Sequence, residues 1–206
     1  MGADHRKIKD YLEGGAIGKP QLVRMSVHSS GLVPDEFGNW PALQRQPYLA
    51  DLPRFLVFEL LVHHFDVLGW LFGDLALRSA SLSRASGATK GEDTAAIHLQ
   101  TSVGFSILLD ATFACPDAPT HVADYCEIIG QTGTIHLDDT TLFLRGARTE
   151  TSVLAFEQMY AAAYEGALAE FANGLRQGRS CEELNEGHLM ALRLVEAVYL
   201  HARRYN

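Results

Sequence analysis

Three ionisable side chains lie close together in an otherwise apolar stretch of the chain. Glu59, His63 and Asp66 fall within RFLVFELLVHHFDVLGWLFG, residues 54–73. On an α-helix their spacing of four and three residues places all of them on one stripe, while His64 points about 100° away. Burying three ionisable groups costs several kcal/mol unless they pair or face a cavity, so the pattern requires an explanation.

These residue types allow three interpretations. The first is a buried network without chemistry, in which Glu59 accepts a hydrogen bond from His63 and Asp66 caps a neighbouring backbone. The second is a proton acceptor on a pocket wall, because an imidazole with an ordinary pKa near 6.5 exchanges protons at neutral pH. The third is metal ligation, since carboxylate oxygens and imidazole nitrogens at helical spacing suit a divalent ion. The residues alone leave all three open.

The segment 31–53 is a second candidate part of the site. It holds four prolines and has no hydrophobic period, and a loop of this length inside a compact domain is usually functional. Its Trp40 and Tyr48 could stack on a substrate ring or pin the loop to the core.

Length and composition limit the class of protein. The chain has 206 residues, of which 47 % are hydrophobic and 20 % are charged, so we expect residues 1–206 to form a single globular domain. The net charge of −8, without a basic run, argues against nucleic-acid binding through phosphate contacts. The sequence contains no signal peptide and no uninterrupted apolar span, and its three cysteines form no motif. We therefore expect a cytoplasmic protein that does not bind membranes.

The order of hydrophobic periods predicts the elements that carry these residues. Residues 54–73 indicate a buried helix ended by Gly73, and residues 75–145 read as successive strands joined by short turns. With a strand near residue 24, this predicts a sheet of up to about seven strands, antiparallel wherever the links are too short for a crossover helix. Two helices follow. Strands followed by helices indicate an α+β fold.

Two apolar stripes in these elements lead to further expectations. The penultimate helix carries an apolar stripe that we expect to be core: Phe156, Tyr160, Tyr164, Leu168, Phe171 and Leu175. An open sheet covered by helices on one face leaves its other face exposed, which predicts self-association. The strand stripe expected to form that exposed face consists of Val103, Phe105, Ile107 and Leu109.

Several motifs are missing from the sequence. It has no GxGxxG and no Walker motif, so we expect no dinucleotide to bind this chain tightly. GxSxG and HExxH are also absent.

The order of the remaining motifs resembles a known family. IGKPQLVR, a long loop, ELLVHHFDVLGWLFG, strands that include EIIGQTGTIHL, and a terminal helix pair are similar to the C-terminal domain of the glucose-fructose oxidoreductase/inositol dehydrogenase/MocA-like (Gfo/Idh/MocA) oxidoreductases. The most specific element is the helix in which an acidic residue, a histidine and an aspartate are followed by aromatic-Leu-x-Gly.

The resemblance implies an open, mostly antiparallel sheet with helices packed on one face. It also implies an NAD(P)-dependent enzyme for a sugar, polyol or related hydroxyl compound, in which a separate Rossmann domain binds NAD or NADP. His63 would then be the proton acceptor and Glu59 its acidic partner, and no residue of this chain would bind the cofactor or a metal. The expected substrate contacts are Asp66, His64, Trp40 and Tyr48.

On this interpretation the domain supplies the substrate site and a homo-oligomer interface through the sheet face, and the chain alone is inactive. The alternatives are a stand-alone oligomerisation or interaction module and a metal-dependent isomerase or hydrolase.

Overall fold

An eight-stranded sheet forms the frame of the protein. The computed structural model describes residues 3–153 and 156–205. The strands are β1 (Pro20–His28), β2 (Leu75–Ser83), β3 (Thr94–Thr101), β4 (Ser106–Thr112), β5 (Ala123–Gly130), β6 (Thr134–Asp138), β7 (Thr141–Arg145) and β8 (Thr149–Val153).

The sheet order is β2-β3-β4-β1-β5-β6-β7-β8. β1 pairs in parallel with β4, and the other neighbours are antiparallel. Helices cover one face, so the predicted α+β class with a mostly antiparallel open sheet is confirmed. The eighth strand, TETSV, escaped prediction because it lacks an apolar alternation.

The helices are α1 (Ala3–Glu13), α2 (Pro41–Arg45), α3 (Val62–Phe72), α4 (Phe156–Arg176) and α5 (Cys181–Tyr205). α3 packs against α5, and α5 packs against β2. Phe65 and Leu68 of α3 share one core with Val195 and Val198 of α5. None of the helices in the described ranges has the length and apolar character needed to cross a bilayer.

Close backbone contacts explain the glycines of the EIIGQTGTI motif. A Cβ on Gly130 would collide with the Ile17 carbonyl, and one on Gly133 would collide with the carbonyl of Arg145. The amide of Thr132 donates to the Ile17 oxygen at 2.9 Å. The segment before β1 therefore rests directly on the β5–β6 turn.

The structure corrects the prediction of an exposed stripe on β4. Most of that stripe lies in the core. Ile107 and Leu109 are buried, Phe105 packs against the same core, and Val103 sits in the turn before β4. Because side chains alternate across a strand, the outward residue is Leu108, which is 44 % exposed.

The apolar stripe of α4 is a second correction. Tyr164, Leu168, Phe171 and Leu175 are between 46 % and 70 % exposed. α4 meets α1, where Gly166 lies against the Arg6 guanidinium, and the stripe faces away from the core. Phe156 and Tyr160, which belong to the same predicted stripe, lie outside the side chains that the structure describes.

Candidate active site

The helix that carries Glu59 and His63 changes type between these residues. A π-helical turn spans Leu56–Leu61, and the α-helix α3 begins at Val62. The sequence predicted one regular helix, so the structure revises the expected common stripe: the wider π turn changes the rotation of Glu59 relative to α3. Gly73 ends α3 with a φ of 77°, as predicted.

A buried carboxylate fixes the start of the π turn. Glu92, 8 % exposed, accepts from the amide of Val57 at 3.0 Å and from that of Phe55 at 3.4 Å. The Tyr199 hydroxyl of α5 donates to the same carboxylate at 2.5 Å. Burial and this hydrogen bond raise the pKa of Tyr199, which keeps it a donor. Glu92 therefore satisfies amides that a helix start leaves without partners, and it joins the π turn to α5.

Glu59 is half-buried and is oriented from the long loop. The hydroxyl of Tyr48 donates to Glu59 Oε1 at 2.7 Å, and the Gln46 amide donates to the Tyr48 oxygen at 3.3 Å. This hydrogen bond to the carboxylate raises the pKa of Tyr48. Tyr48 remains 49 % exposed, and Trp40, just before α2, is 37 % exposed. The loop thus brings both aromatic residues to the surface and fixes one carboxylate oxygen of Glu59.

His63 lies in the first turn of α3 and is exposed. Among the side chains that the structure describes, none hydrogen bonds to its ring. The network interpretation expected Glu59 to accept from His63, but the described donor to Glu59 is Tyr48. An accessible imidazole can accept a proton from a bound hydroxyl compound.

Asp66 is held by the last helix. Its Oδ1 lies 2.9 Å from Nδ1 of His188 on α5, and the Asp66 side chain is 21 % exposed. The predicted backbone cap is thus replaced by an ion pair between two helices when His188 is protonated. Asp66 therefore joins α3 to α5.

His64 differs most from what the sequence suggested. It is 7 % exposed, with Nε2 3.0 Å from Asp124 Oδ1 of β5 and Nδ1 3.3 Å from the Leu60 carbonyl. Desolvation alone would lower the pKa of His64, but the Asp124 carboxylate and the two hydrogen bonds outweigh it and raise the pKa. Burial likewise opposes the charge on Asp124, yet His64 holds the pKa of that carboxyl low, with His5 adding to the effect. We therefore reassign His64 from an expected substrate contact to a group bound inside the domain.

The structure thus gathers Tyr48, Glu59 and His63 around the start of α3 and separates His64 from them. Sequence reasoning missed Glu92 and Asp124, which lie far along the chain and belong to no motif. Within the described ranges, no three side chains with metal-binding groups converge on one point.

The mostly antiparallel sheet with its packed helices is the architecture of one domain of a known oxidoreductase family. The chain belongs to the GFO/IDH/MocA family: the profile described as "GFO/IDH/MocA C-terminal domain" matches residues 5–136.

Relatives and solved structures agree with this assignment. The chain is 32 % identical over 204 residues to the D-apiose dehydrogenase of Paraburkholderia graminis, covering 93 % of this chain and 52 % of that protein. It is 25 % identical over 183 residues to the inositol 2-dehydrogenase of Pseudomonas fluorescens, covering 86 % of this chain and 49 % of that protein. The chain therefore spans about half the length of these curated relatives.

An oxidoreductase from Agrobacterium radiobacter, crystallised with NAD+, L-tartaric acid and magnesium, superposes with a TM-score of 0.84 at 25 % identity. That alignment covers 100 % of this chain and 61 % of the other.

Proposed function

We propose that residues 1–206 form the substrate-binding domain of an NAD(P)-dependent dehydrogenase that acts on a sugar, polyol or related hydroxyl compound. The observation that carries this proposal is the exposed His63 imidazole in the first turn of α3, directly after the π turn whose Glu59 carboxylate is oriented by Tyr48. The names of the relatives support the substrate class, since D-apiose is a sugar and inositol a polyol.

Oxidation of an alcohol removes a hydride from carbon and a proton from oxygen, and His63 is suited to the proton. A nicotinamide cofactor, when bound, supplies the hydride acceptor. The neutral imidazole accepts the hydroxyl proton and becomes imidazolium, a role that contributes roughly 10²- to 10⁴-fold in rate. Glu59 supplies a carboxylate that holds a substrate hydroxyl and stabilises the imidazolium.

The residues that the structure describes do not fit the cofactor itself. A dinucleotide site needs a glycine-rich turn from a parallel strand into a helix. In the described part of the sheet, the parallel pair is β1 and β4, and neither strand leads into a helix through such a turn. We propose that the domain acts with a nucleotide-binding part and has no dehydrogenase activity without one.

The open face of the sheet is the proposed homo-oligomer interface. It presents Leu108 beside the ion pair of Arg24 with Glu127 at 2.8 Å and the hydrogen bond of His28 with Asp110 at 2.6 Å. A two-fold contact joins a surface to itself, so a face with both signs can complement its own copy. Sedimentation should show a dimer or larger species that Leu108→Lys dissociates, and an unchanged size distribution would contradict this assignment.

We further propose a cytoplasmic location. The described cysteines, Cys115 and Cys126, are free thiols, which supports a reducing compartment.

A chimera tests the catalytic proposal. This chain would replace the matching segment of the P. graminis D-apiose dehydrogenase, and reduction of NAD+ and NADP+ would be followed with a panel of sugars and polyols. We expect turnover of at least one substrate in that panel. His63→Gln should then lower kcat by about 10² or more.

The matched control is His121→Gln, because His121 is also an exposed histidine but lies in the loop before β5, where it is paired with Asp139. It should retain turnover. A chimera in which both substitutions have the same small effect would contradict the role of His63.

A further inference from the structure

The buried His64–Asp124 pair lies directly behind the exposed histidine of the proposed site. His64 and His63 are neighbours in the first turn of α3, and one ring is buried while the other is exposed. Adjacent residues of a helix point about 100° apart, so a tether on one side chain fixes the backbone from which the next one projects.

The contacts of His64 span the junction between the two helix types. One ring nitrogen is 3.3 Å from the carbonyl of Leu60 in the π turn, and the other is 3.0 Å from Asp124 on β5. Asp124 is the second residue of β5, and β5 runs antiparallel to β1 in the centre of the sheet. The imidazole therefore connects the end of the π turn and the start of α3 to the rigid sheet.

Both nitrogens face acceptors, a carbonyl and a carboxylate, so the ring satisfies both only as imidazolium. Burial without a partner would favour the neutral ring, which loses one of the two hydrogen bonds. Asp124 thus maintains the doubly bonded form of His64. A π turn departs from the regular i+4 bonding of an α-helix, and a tether of this kind restricts its movement.

We propose that the His64–Asp124 pair positions His63, by locking the first turn of α3 to the sheet so that the neighbouring imidazole projects from a fixed backbone. The inference deepens the proposed function and rests on it for the importance of His63. His64 and Asp124 are positioning residues, since neither reaches the substrate side of the helix.

The first test uses the 206-residue chain and NMR. Asp124→Asn should raise amide exchange rates at residues 62–66 by about tenfold or more, while the amides of β6 and β7 keep their rates. The matched control is Asp110→Asn, which removes the partner of the exposed His28 and should leave residues 62–66 unchanged. A uniform rise over the whole chain, or no rise at residues 62–66, would overturn the proposal.

The exchange measurement is independent of turnover, so it separates this inference from the proposed function. In the chimera, Asp124→Asn should lower kcat about tenfold while the KM for cofactor stays within twofold. The double variant His64→Gln/Asp124→Asn can restore a neutral hydrogen bond and should recover part of kcat. A change in cofactor KM alone would contradict positioning of His63.

Discussion

Two histidine–aspartate pairs on opposite sides of the sheet use the same chemistry in different surroundings. The open-face pair, His28 and Asp110, has the shorter separation, 2.6 Å, and its side chains are 29 % and 55 % exposed. The pair behind the site, His64 and Asp124, is separated by 3.0 Å with exposures of 8 % and 29 %. Water competes for the hydrogen-bonding groups of His28 and Asp110 but largely not for those of His64 and Asp124. Burial, and not the distance between the partners, therefore decides which pair constrains the fold.

The carboxylates of the two regions differ in the same way. Glu127 on the open face pairs with Arg24 at 2.8 Å, and both side chains stay accessible. Glu92 on the helix side is buried and accepts hydrogen bonds from two backbone amides and the Tyr199 hydroxyl. The helix side therefore holds fixed polar groups around the site, whereas the open face keeps adjustable ones that suit a contact with another molecule.

The largest effect on the free energy of unfolding should come from removing the buried carboxylate of Glu92. Glu92→Ala leaves two amides and one hydroxyl without an acceptor, so we expect the free energy of unfolding to fall by about 3 to 5 kcal/mol. Glu127→Ala removes an exposed ion pair and should cost about 0.5 kcal/mol or less. Urea denaturation of both variants measures the difference, and equal losses would break the contrast between the two sides.

Substitutions of Asp124 and Asp110 should differ by less in their effect on the free energy of unfolding, and this difference should depend on pH. Asp124→Asn should lower the free energy of unfolding by about 2 kcal/mol near pH 6, and Asp110→Asn by about 0.5 kcal/mol or less. The lowered pKa of Asp124 contributes stability above its unfolded value, 3.8, that is lost as the pH falls through the folded pKa. The raised pKa of His64 contributes stability below its unfolded value, 6.5, that is lost as the pH rises through the folded pKa.

The difference between wild type and Asp124→Asn should therefore be widest between pH 3.8 and 6.5 and should narrow on both sides. Denaturation curves over this pH range check it. A difference that grows steadily towards alkaline pH would contradict a charged pair.

The smallest effect on the free energy of unfolding is expected from a substitution in the loop segment 31–53. Tyr48→Phe removes a half-exposed hydrogen bond to Glu59, so the free energy of unfolding should fall by only about 0.5 kcal/mol. The corresponding open-face change is Tyr125→Phe, which should be neutral because no described hydrogen bond involves the Tyr125 hydroxyl. In the chimera, Tyr48→Phe should raise the substrate KM severalfold, and an unchanged KM would show that Glu59 needs no orientation from the loop.

The sheet and its class were predictable because each strand segment has its own alternation and turn. Alternation identifies the apolar face of a strand but does not say whether that face packs against the helices or lies on the open side of the sheet. For this reason Ile107 and Leu109 were assigned to the exposed face, whereas they lie in the core. Periodicity has the same limit on α4, where it identifies an apolar stripe but does not say what covers it.

The candidate site was predictable only as far as local spacing extends. Glu59 and His63 stand out because charges are unusual in an apolar helix. The π turn depends on Glu92 and Tyr199, which fold back from distant parts of the chain, and no local pattern reports such tertiary bonds. The sequence also indicated that His63 and His64 point apart, but only Asp124 in the folded chain determines that His64 is the buried ring.

Chemical rescue tests the central claim, that His63 accepts the substrate proton, most directly. His63→Ala in the chimera should lower kcat by about 10² or more, and the exposed position leaves room for added imidazole to replace the lost ring. The account predicts that kcat rises with imidazole concentration, most strongly where the added imidazole is neutral, while wild type is unaffected. A His63→Ala chimera that keeps the turnover of wild type would contradict the account.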